Sequence, residues 1–188
     1  METRFVSRGG TKLRGALDAF KISPEGKVCL DIGSSTGGFT DCLLQAGAKS
    51  VWAVDVGYGL LDYNLRKDPR VHILERTNFR FLESSVLKEI PTLITIDVSF
   101  ISLSKIFPKI YEVAPSGADI VVLVKPQFEG TPKEAPEGFV KDEPTRQDIL
   151  SRVRAMAEQA KFQIKAVSDS VLAGRKGNQE TFFHLIKP

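Results

Sequence analysis

Two rhythms of apolar residues alternate along this chain. Short runs such as Leu93-Ile94-Thr95-Ile96 and Ile120-Val121-Val122-Leu123-Val124 are apolar at nearly every position. Strands of a parallel sheet, buried on both faces, carry this pattern. Between such runs the apolar residues fall at helical spacing, as at Leu13, Ala16, Leu17 and Phe20. The pattern predicts strands over 27–32, 50–56, 70–74, 92–97, 118–125, 162–171 and 180–187. Helices are predicted over 7–20, 37–46, 58–66, 82–89, 102–113 and 144–160. Ala173-Gly174-Arg175-Lys176-Gly177-Asn178 is a short turn between the last two strands, which therefore form a hairpin. The expected architecture is α/β: a seven-stranded, mostly parallel sheet ending in one antiparallel hairpin.

One segment breaks the alternation. Residues 126–144 hold four prolines and two glycines without a clean period. This segment follows a strand ending in Val124-Lys125-Pro126, where such sheets open onto a ligand crevice, and reads as a substrate-side loop. With 188 residues, 42% hydrophobic and 26% charged, the chain fits a single α/β domain over 1–188. The N-terminal helix is expected at about 7–20 and the Rossmann-like core at about 27–188. No apolar run reaches the ~20 residues a bilayer span needs, and no signal-peptide core precedes the first helix. Two cysteines, Cys29 and Cys42, make no disulfide framework, so a reducing cytoplasm is expected. His72 and His184 lack ligand-like spacing, and no metal is assigned.

The strongest local motif is Leu30-Asp31-Ile32-Gly33-Ser34-Ser35-Thr36-Gly37-Gly38-Phe39-Thr40-Asp41. It has the order strand, glycine-rich turn, helix, which builds a nucleotide pocket at the edge of a parallel sheet. A dinucleotide fold spaces its glycines G-x-G-x-x-G so that a pyrophosphate rests on the helix N-terminus. Here the spacing is Asp31-x-Gly33-x-x-x-Gly37-Gly38, with an acid two residues before the first glycine. An anion there repels a pyrophosphate and suits the cationic end of S-adenosylmethionine. A second acid, Asp55, closes the next strand and is placed to accept hydrogen bonds from ribose hydroxyls. Together these features predict a class I S-adenosylmethionine-dependent methyltransferase.

Charge and strand ends narrow the chemistry. The net charge is +3, and residues 1–27 carry six basic residues against three acids, leaving 20 of each sign elsewhere from totals of 26 and 23. A basic arm beside a cleft is the footprint of a phosphate-bearing partner. Asp97, Lys125 and Glu180 all sit where strand ends converge. Lysine closing a buried run needs a partner or water.

Four segments now carry a family resemblance. Ser7-Arg8-Gly9-Gly10-Thr11-Lys12-Leu13, the glycine-rich motif, Thr95-Ile96-Asp97-Val98-Ser99-Phe100 and Val124-Lys125-Pro126-Gln127-Phe128-Glu129 resemble the TlyA, or haemolysin A, family in the right order over essentially the whole chain. That family is one of ribosomal RNA 2′-O-methyltransferases related to the FtsJ type. The resemblance implies a catalytic Lys-Asp-Lys-Glu tetrad, which falls on Lys12, Asp97, Lys125 and Glu180. It implies S-adenosylmethionine held by Asp31, Gly33, Ser34, Ser35, Gly37, Gly38, Asp55, Val56, Asn78 and Asp97. Ribosomal RNA or ribosomal subunits are the implied partner, with Arg4, Arg8, Arg14, Arg175 and Lys176 as expected phosphate contacts. Relatives of this type carry a small RNA-binding domain before the Ser-Arg-Gly-Gly segment. Only six residues precede that segment here, so the domain is expected to be absent from this chain.

The residue types suit the chemistry. Methyl transfer to a hydroxyl is an in-line displacement that must also remove a proton, and no histidine is placed as base. A lysine used for that purpose near neutral pH must come down roughly three units from its free value of about 10.4. Lys125 is then the proton acceptor or steering group and Asp97 its orienter, with Lys12 and Glu180 completing the network. Two other functions stay open at this point: a membrane-lysing haemolysin, which the absence of a membrane-length segment disfavours, and methyl transfer to another acceptor.

Overall fold

The computed structural model describes residues 5–188. Seven strands form one sheet in the order β3-β2-β1-β4-β5-β7-β6. They are β1 (Val28–Ile32), β2 (Ser50–Val54), β3 (Val71–Leu74), β4 (Leu93–Ile96), β5 (Asp119–Val124), β6 (Gln163–Asp169) and β7 (Thr181–Ile186). The first five run parallel, and β7 is antiparallel to both β5 and β6. The central strands are buried on both faces, which explains their unbroken apolar runs. β6 lies at the edge and alternates between exposed and half-buried positions.

Side-chain alternation divides the core in two. Leu30, Ile32, Ile94, Ile96, Ile120 and Val122 face one side with Phe107 and Val153. Cys29, Val51, Leu93, Val121 and Leu123 face the other with Leu13, Leu17 and Leu43. The helices that supply these partners are α1 (Arg8–Phe20), α2 (Gly38–Gln45), α4 (Phe107–Val113) and α6 (Glu143–Gln159). α6 starts cleanly because the Asp142 side chain accepts from the Thr145 N–H.

Three expected helices are shorter than predicted. The 58–66 segment becomes a bent loop and then α3 (Tyr63–Lys67), whose start is fixed by Asp62 accepting from the Asn64 N–H. The 82–89 segment holds no α-helix. It holds a 3-10 turn at Ser84–Val86, with the Ser84 hydroxyl donating to Glu112, and a second 3-10 turn, Phe79–Phe81, precedes it with Asn78 accepting from the Arg80 N–H. The 102–113 segment splits into a 3-10 turn, Leu103–Lys105, and α4. Pro108 sits in the first turn of α4, the place where its missing N–H costs least. The irregular 126–144 segment opens with one helical turn, α5 (Pro126–Glu129). The hairpin connection is longer than expected and contains a 3-10 turn at Arg175–Gly177.

This topology positions the chemistry. Strand order reverses between β1 and β4, so a crevice opens beyond their carboxyl ends. Gly33 follows β1, Asp55 follows β2, Asp97 follows β4 and Lys125 follows β5. Because β7 is antiparallel, its first residue Thr181 pairs with Val124, the last of β5. Glu180 therefore arrives at the same edge as Lys125.

Candidate active site

Two cavities share this edge. The larger, about 460 Å³, is lined by Asp55, Val56, Asn78 and Asp97 together with apolar Ile32, Phe79, Val98 and Ile101. The smaller, about 210 Å³, is lined by Arg8, Lys12, Ser34, Thr36, Gly38 and Phe39. Gly33, Ser35 and Asp97 border both, so the two form one crevice.

The larger cavity fits the adenosine portion of S-adenosylmethionine. Its volume is in the range of small-molecule sites, and its lining is mainly apolar with a few polar groups. The Asp55 carboxylate accepts the Ser35 N–H at 2.8 Å and the Gly57 N–H at 2.7 Å, which fixes it while leaving lone pairs for ribose hydroxyls. Gly33 has φ +83°, and a Cβ there would collide with the Asp97 carbonyl oxygen, so only glycine lets the two loops close. The smaller cavity has Arg8 on its wall and lies at the start of α1 and α2. Unpaired helix N–H groups there favour an anion such as a carboxylate.

The expected cofactor residues divide into wall and support. Gly33, Ser34, Ser35, Gly38, Asp55, Val56, Asn78 and Asp97 line one cavity or the other. Asp31 and Gly37 line neither. Gly37 (φ +97°) is required because a Cβ would strike the side chains of Leu65 and Leu61. Asp31 is fully buried, and its carboxylate accepts from the hydroxyls of Thr40 (2.7 Å) and Thr95 (3.1 Å). It thus ties β1 to α2 and β4 instead of meeting a ligand directly. Burial pushes its carboxyl up to about 7; the two hydroxyl bonds oppose the rise and the charge of Asp97 adds to it.

Lys12, Asp97, Lys125 and Glu180 form two ion pairs. Lys125 Nζ lies 2.5 Å from Asp97 Oδ1 and donates to Ser99 Oγ at 2.9 Å. Lys12 Nζ donates to Glu180 Oε2 at 2.5 Å, joining α1 to the start of β7 across 168 positions of sequence. Glu180 is 2% exposed, and a Cβ at Gly174 would overlap its carboxylate. Glu129 braces the loops beside Lys125 and Asp97 by accepting the Leu103 N–H and the Ser102 hydroxyl, each at 2.8 Å. Burial raises its carboxyl above the usual glutamate range against those two bonds. The loop after β5 is thereby fastened to the loop after β4, keeping Lys125 against Asp97.

The basic residues expected at RNA are dispersed. Arg4 lies outside the described residues. Arg8 reaches the smaller cavity, whereas Arg14 lines neither cavity and pairs with Asp18 at 2.7 Å. Lys176 donates to the Glu137 carbonyl at 2.6 Å, and neighbouring Asn178 bonds both Val140 N–H and the Gly138 carbonyl. This turn therefore anchors the 126–144 loop. Sequence reasoning missed Ser99, Thr40 and Thr95 as partners, although the quoted motifs contain all three. It also missed Phe100, 81% exposed and at φ +62°, whose ring packs 4.7 Å from Phe128 beside the larger cavity.

Comparison with known proteins gives the family and the fold. The family model for FtsJ-like methyltransferase matches residues 5–187. The chain is 46% identical over 185 residues to the 16S/23S rRNA (cytidine-2′-O)-methyltransferase TlyA of Mycobacterium tuberculosis, covering 98% of this chain and 69% of that protein. A solved structure described as a hemolysin, from Streptococcus thermophilus, superposes with a TM-score of 0.97 at 43% identity, covering 100% of this chain and 68% of the other. The N-methyltransferase NodS from Bradyrhizobium japonicum, solved with S-adenosyl-L-homocysteine, shares the fold: TM-score 0.66 at 13% identity, covering 96% and 86%. The chain spans about two thirds of the length of the curated relatives it matches at 46% identity.

Proposed function

The chain belongs to the FtsJ-like methyltransferase family and, within it, to the TlyA or haemolysin A group, and from that premise we propose that it methylates a ribose 2′-hydroxyl of ribosomal RNA, at a cytidine. The observation that carries the proposal is the Lys125–Asp97 pair on the rim of a cavity suited to adenosine. S-adenosylmethionine, when bound, supplies an electrophilic methyl group on a sulfonium. Asp55 holds the ribose of the cofactor, and Val56, Phe79 and Ile101 give its base an apolar wall. Asp97 and Ser99 fix the Lys125 amine at the crevice. Lys125 Nζ would take the 2′-hydroxyl proton as the methyl passes from sulfur to the ribose oxygen, the carbon–sulfur bond breaking as the carbon–oxygen bond forms. Lys12 and Glu180 neutralise each other and hold the floor of the smaller cavity in place. The cytidine is taken from the relatives named for that activity.

Transfer of labelled methyl to ribosomal subunits from cells lacking the activity tests this. Label at one cytidine, resistant to alkaline hydrolysis and lost in Asp97→Ala, is the expected result. Alkali-labile label, or label on a base, would refute ribose methylation.

A further inference from the structure

The carboxyl edge of β2 and β3 carries an unusual surface. Tyr58, Tyr63 and Phe81 are 67%, 65% and 75% exposed, and each ring is covered by a cation. Arg76 Cζ lies 4.2 Å from the Tyr58 centroid, Lys67 Nζ 4.1 Å from that of Tyr63, and Arg80 Cζ 5.1 Å from that of Phe81. Significant pairs of this kind arise about once per 70–80 residues, so three within residues 58–81 is a local concentration. Two further pairs, Arg154 with Phe183 and Lys187 with Tyr111, involve rings that are buried or half-buried. Those rings have little face left for another partner. The three at this edge do.

Charge and rigidity point the same way. Among the described residues the carboxylates of 56–81 are all engaged. Asp62 accepts from the Asn64 N–H, Asp68 pairs with Arg70, and Glu75 pairs with Arg66 while accepting the Gly59 N–H. Lys67, Arg76 and Arg80 have no carboxylate partner among the described residues. The loops after β2 and β3 are also one body, because Arg76 N–H bonds the Gly57 carbonyl and Thr77 N–H the Asp55 carbonyl, each at 2.9 Å, and Arg66 of α3 joins them through Glu75. Asp55, Val56, Leu60, Thr77 and Asn78 of this body line the larger cavity. A fixed, cationic, aromatic shelf therefore continues outward from the site.

We propose that this shelf binds unpaired nucleotides of the RNA substrate, stacking bases on Tyr58, Tyr63 and Phe81 while Lys67, Arg76 and Arg80 meet the phosphates. Single-stranded RNA is recognised by stacking on aromatic and guanidinium planes with cations along the backbone. The shelf rests on the ribosomal RNA reading above and extends it to residues outside the basic arm of 1–27.

The test measures binding without requiring chemistry, with unmodified ribosomal RNA transcripts as the probe in filter-binding titrations over a series of salt concentrations. Calorimetric titration of S-adenosylmethionine and thermal melting report whether each variant is otherwise intact. Tyr58→Ala/Tyr63→Ala/Phe81→Ala should weaken RNA binding at least tenfold, with cofactor binding and melting unchanged. Lys67→Ala/Arg76→Ala should flatten the plot of log affinity against log salt by about 1.4, roughly 0.7 for each lost phosphate contact. RNA affinity within twofold of the parent in both variants would overturn the shelf. So would failure of the parent chain to bind RNA. If the parent binds RNA but transfers no methyl, the enzymatic proposal fails while the shelf is still decided by the variants.

Discussion

Lys12–Glu180 and Lys125–Asp97 are the same chemical pair at the same 2.5 Å separation, but their carboxylates live in different surroundings. The side chain of Glu180 is 3% exposed, that of Asp97 25%. Gly174 packs close against the first. The second borders both cavities, where a substrate hydroxyl could approach. Ion pairs buried in this way stabilise little over an apolar core, yet losing one partner costs heavily. One pair thus closes the fold, and the other is free to work.

The sharpest way to break that contrast is at Asp97. Asp97→Ala should reduce methyl transfer by about 10²–10⁴-fold with little change in melting temperature, the scale on which a positioned proton-transfer group acts. Lys125→Arg should lose comparable activity, because arginine keeps its proton; unchanged turnover would sink the proton-acceptor role. Glu180→Ala should do the opposite at first sight. It leaves Lys12 buried and unpaired and should cost about 3–5 kcal/mol of stability, seen in urea or thermal unfolding. An unchanged midpoint would show that the pair is not structural. Gly174→Ala is a milder assault on the same pair, expected at about 1–3 kcal/mol as the added methyl displaces Glu180.

Asp31 sharpens the comparison as an acid without a lysine. With the Thr40 and Thr95 hydroxyls and the Thr40 backbone N–H as partners and no cation beside it, its carboxyl is still pushed up to about 7 by burial, above its unfolded value near 3.9. The native state therefore holds this proton more tightly than the unfolded chain. Below about pH 4 the group is neutral in both states and costs nothing. As pH rises toward 7 and above, ionisation penalises the native state by up to about 4 kcal/mol. Asp31→Asn should remove that penalty, so its stability relative to the parent should grow between pH 4 and pH 8. A constant difference across that range would mean that Asp31 is not a buried, titrating acid.

The legible part of the molecule was set by periodicity and by residues that act locally. Strand positions followed from apolar runs, since a strand buried on both faces has no polar side to show. The Gly33 turn and the place of Asp55 on the cavity wall were readable because each follows directly on a strand. The helices over 58–66 and 82–89 were misread, because a cap such as Asp62 or Asn78 sets a short turn that weak apolar spacing does not reveal. Asp31 looked like a ligand because its motif is local, while Thr95, which occupies it, comes from another strand 64 positions away. Arg14 and Lys176 show only their charge in the sequence; the structure adds the partners, Asp18 and the Glu137 carbonyl.

The sequence by itself determined an α/β chain with a glycine-rich turn after its first strand, acids after the second and fourth, and a lysine after the fifth. It did so because strands and βα turns are written in neighbouring residues. Only the tertiary structure decided which acid meets which lysine, and which basic residues remain open. Those outcomes depend on β7 running antiparallel beside β5, on α1 crossing to Glu180, and on burial, which sets the strength of every charge in the site.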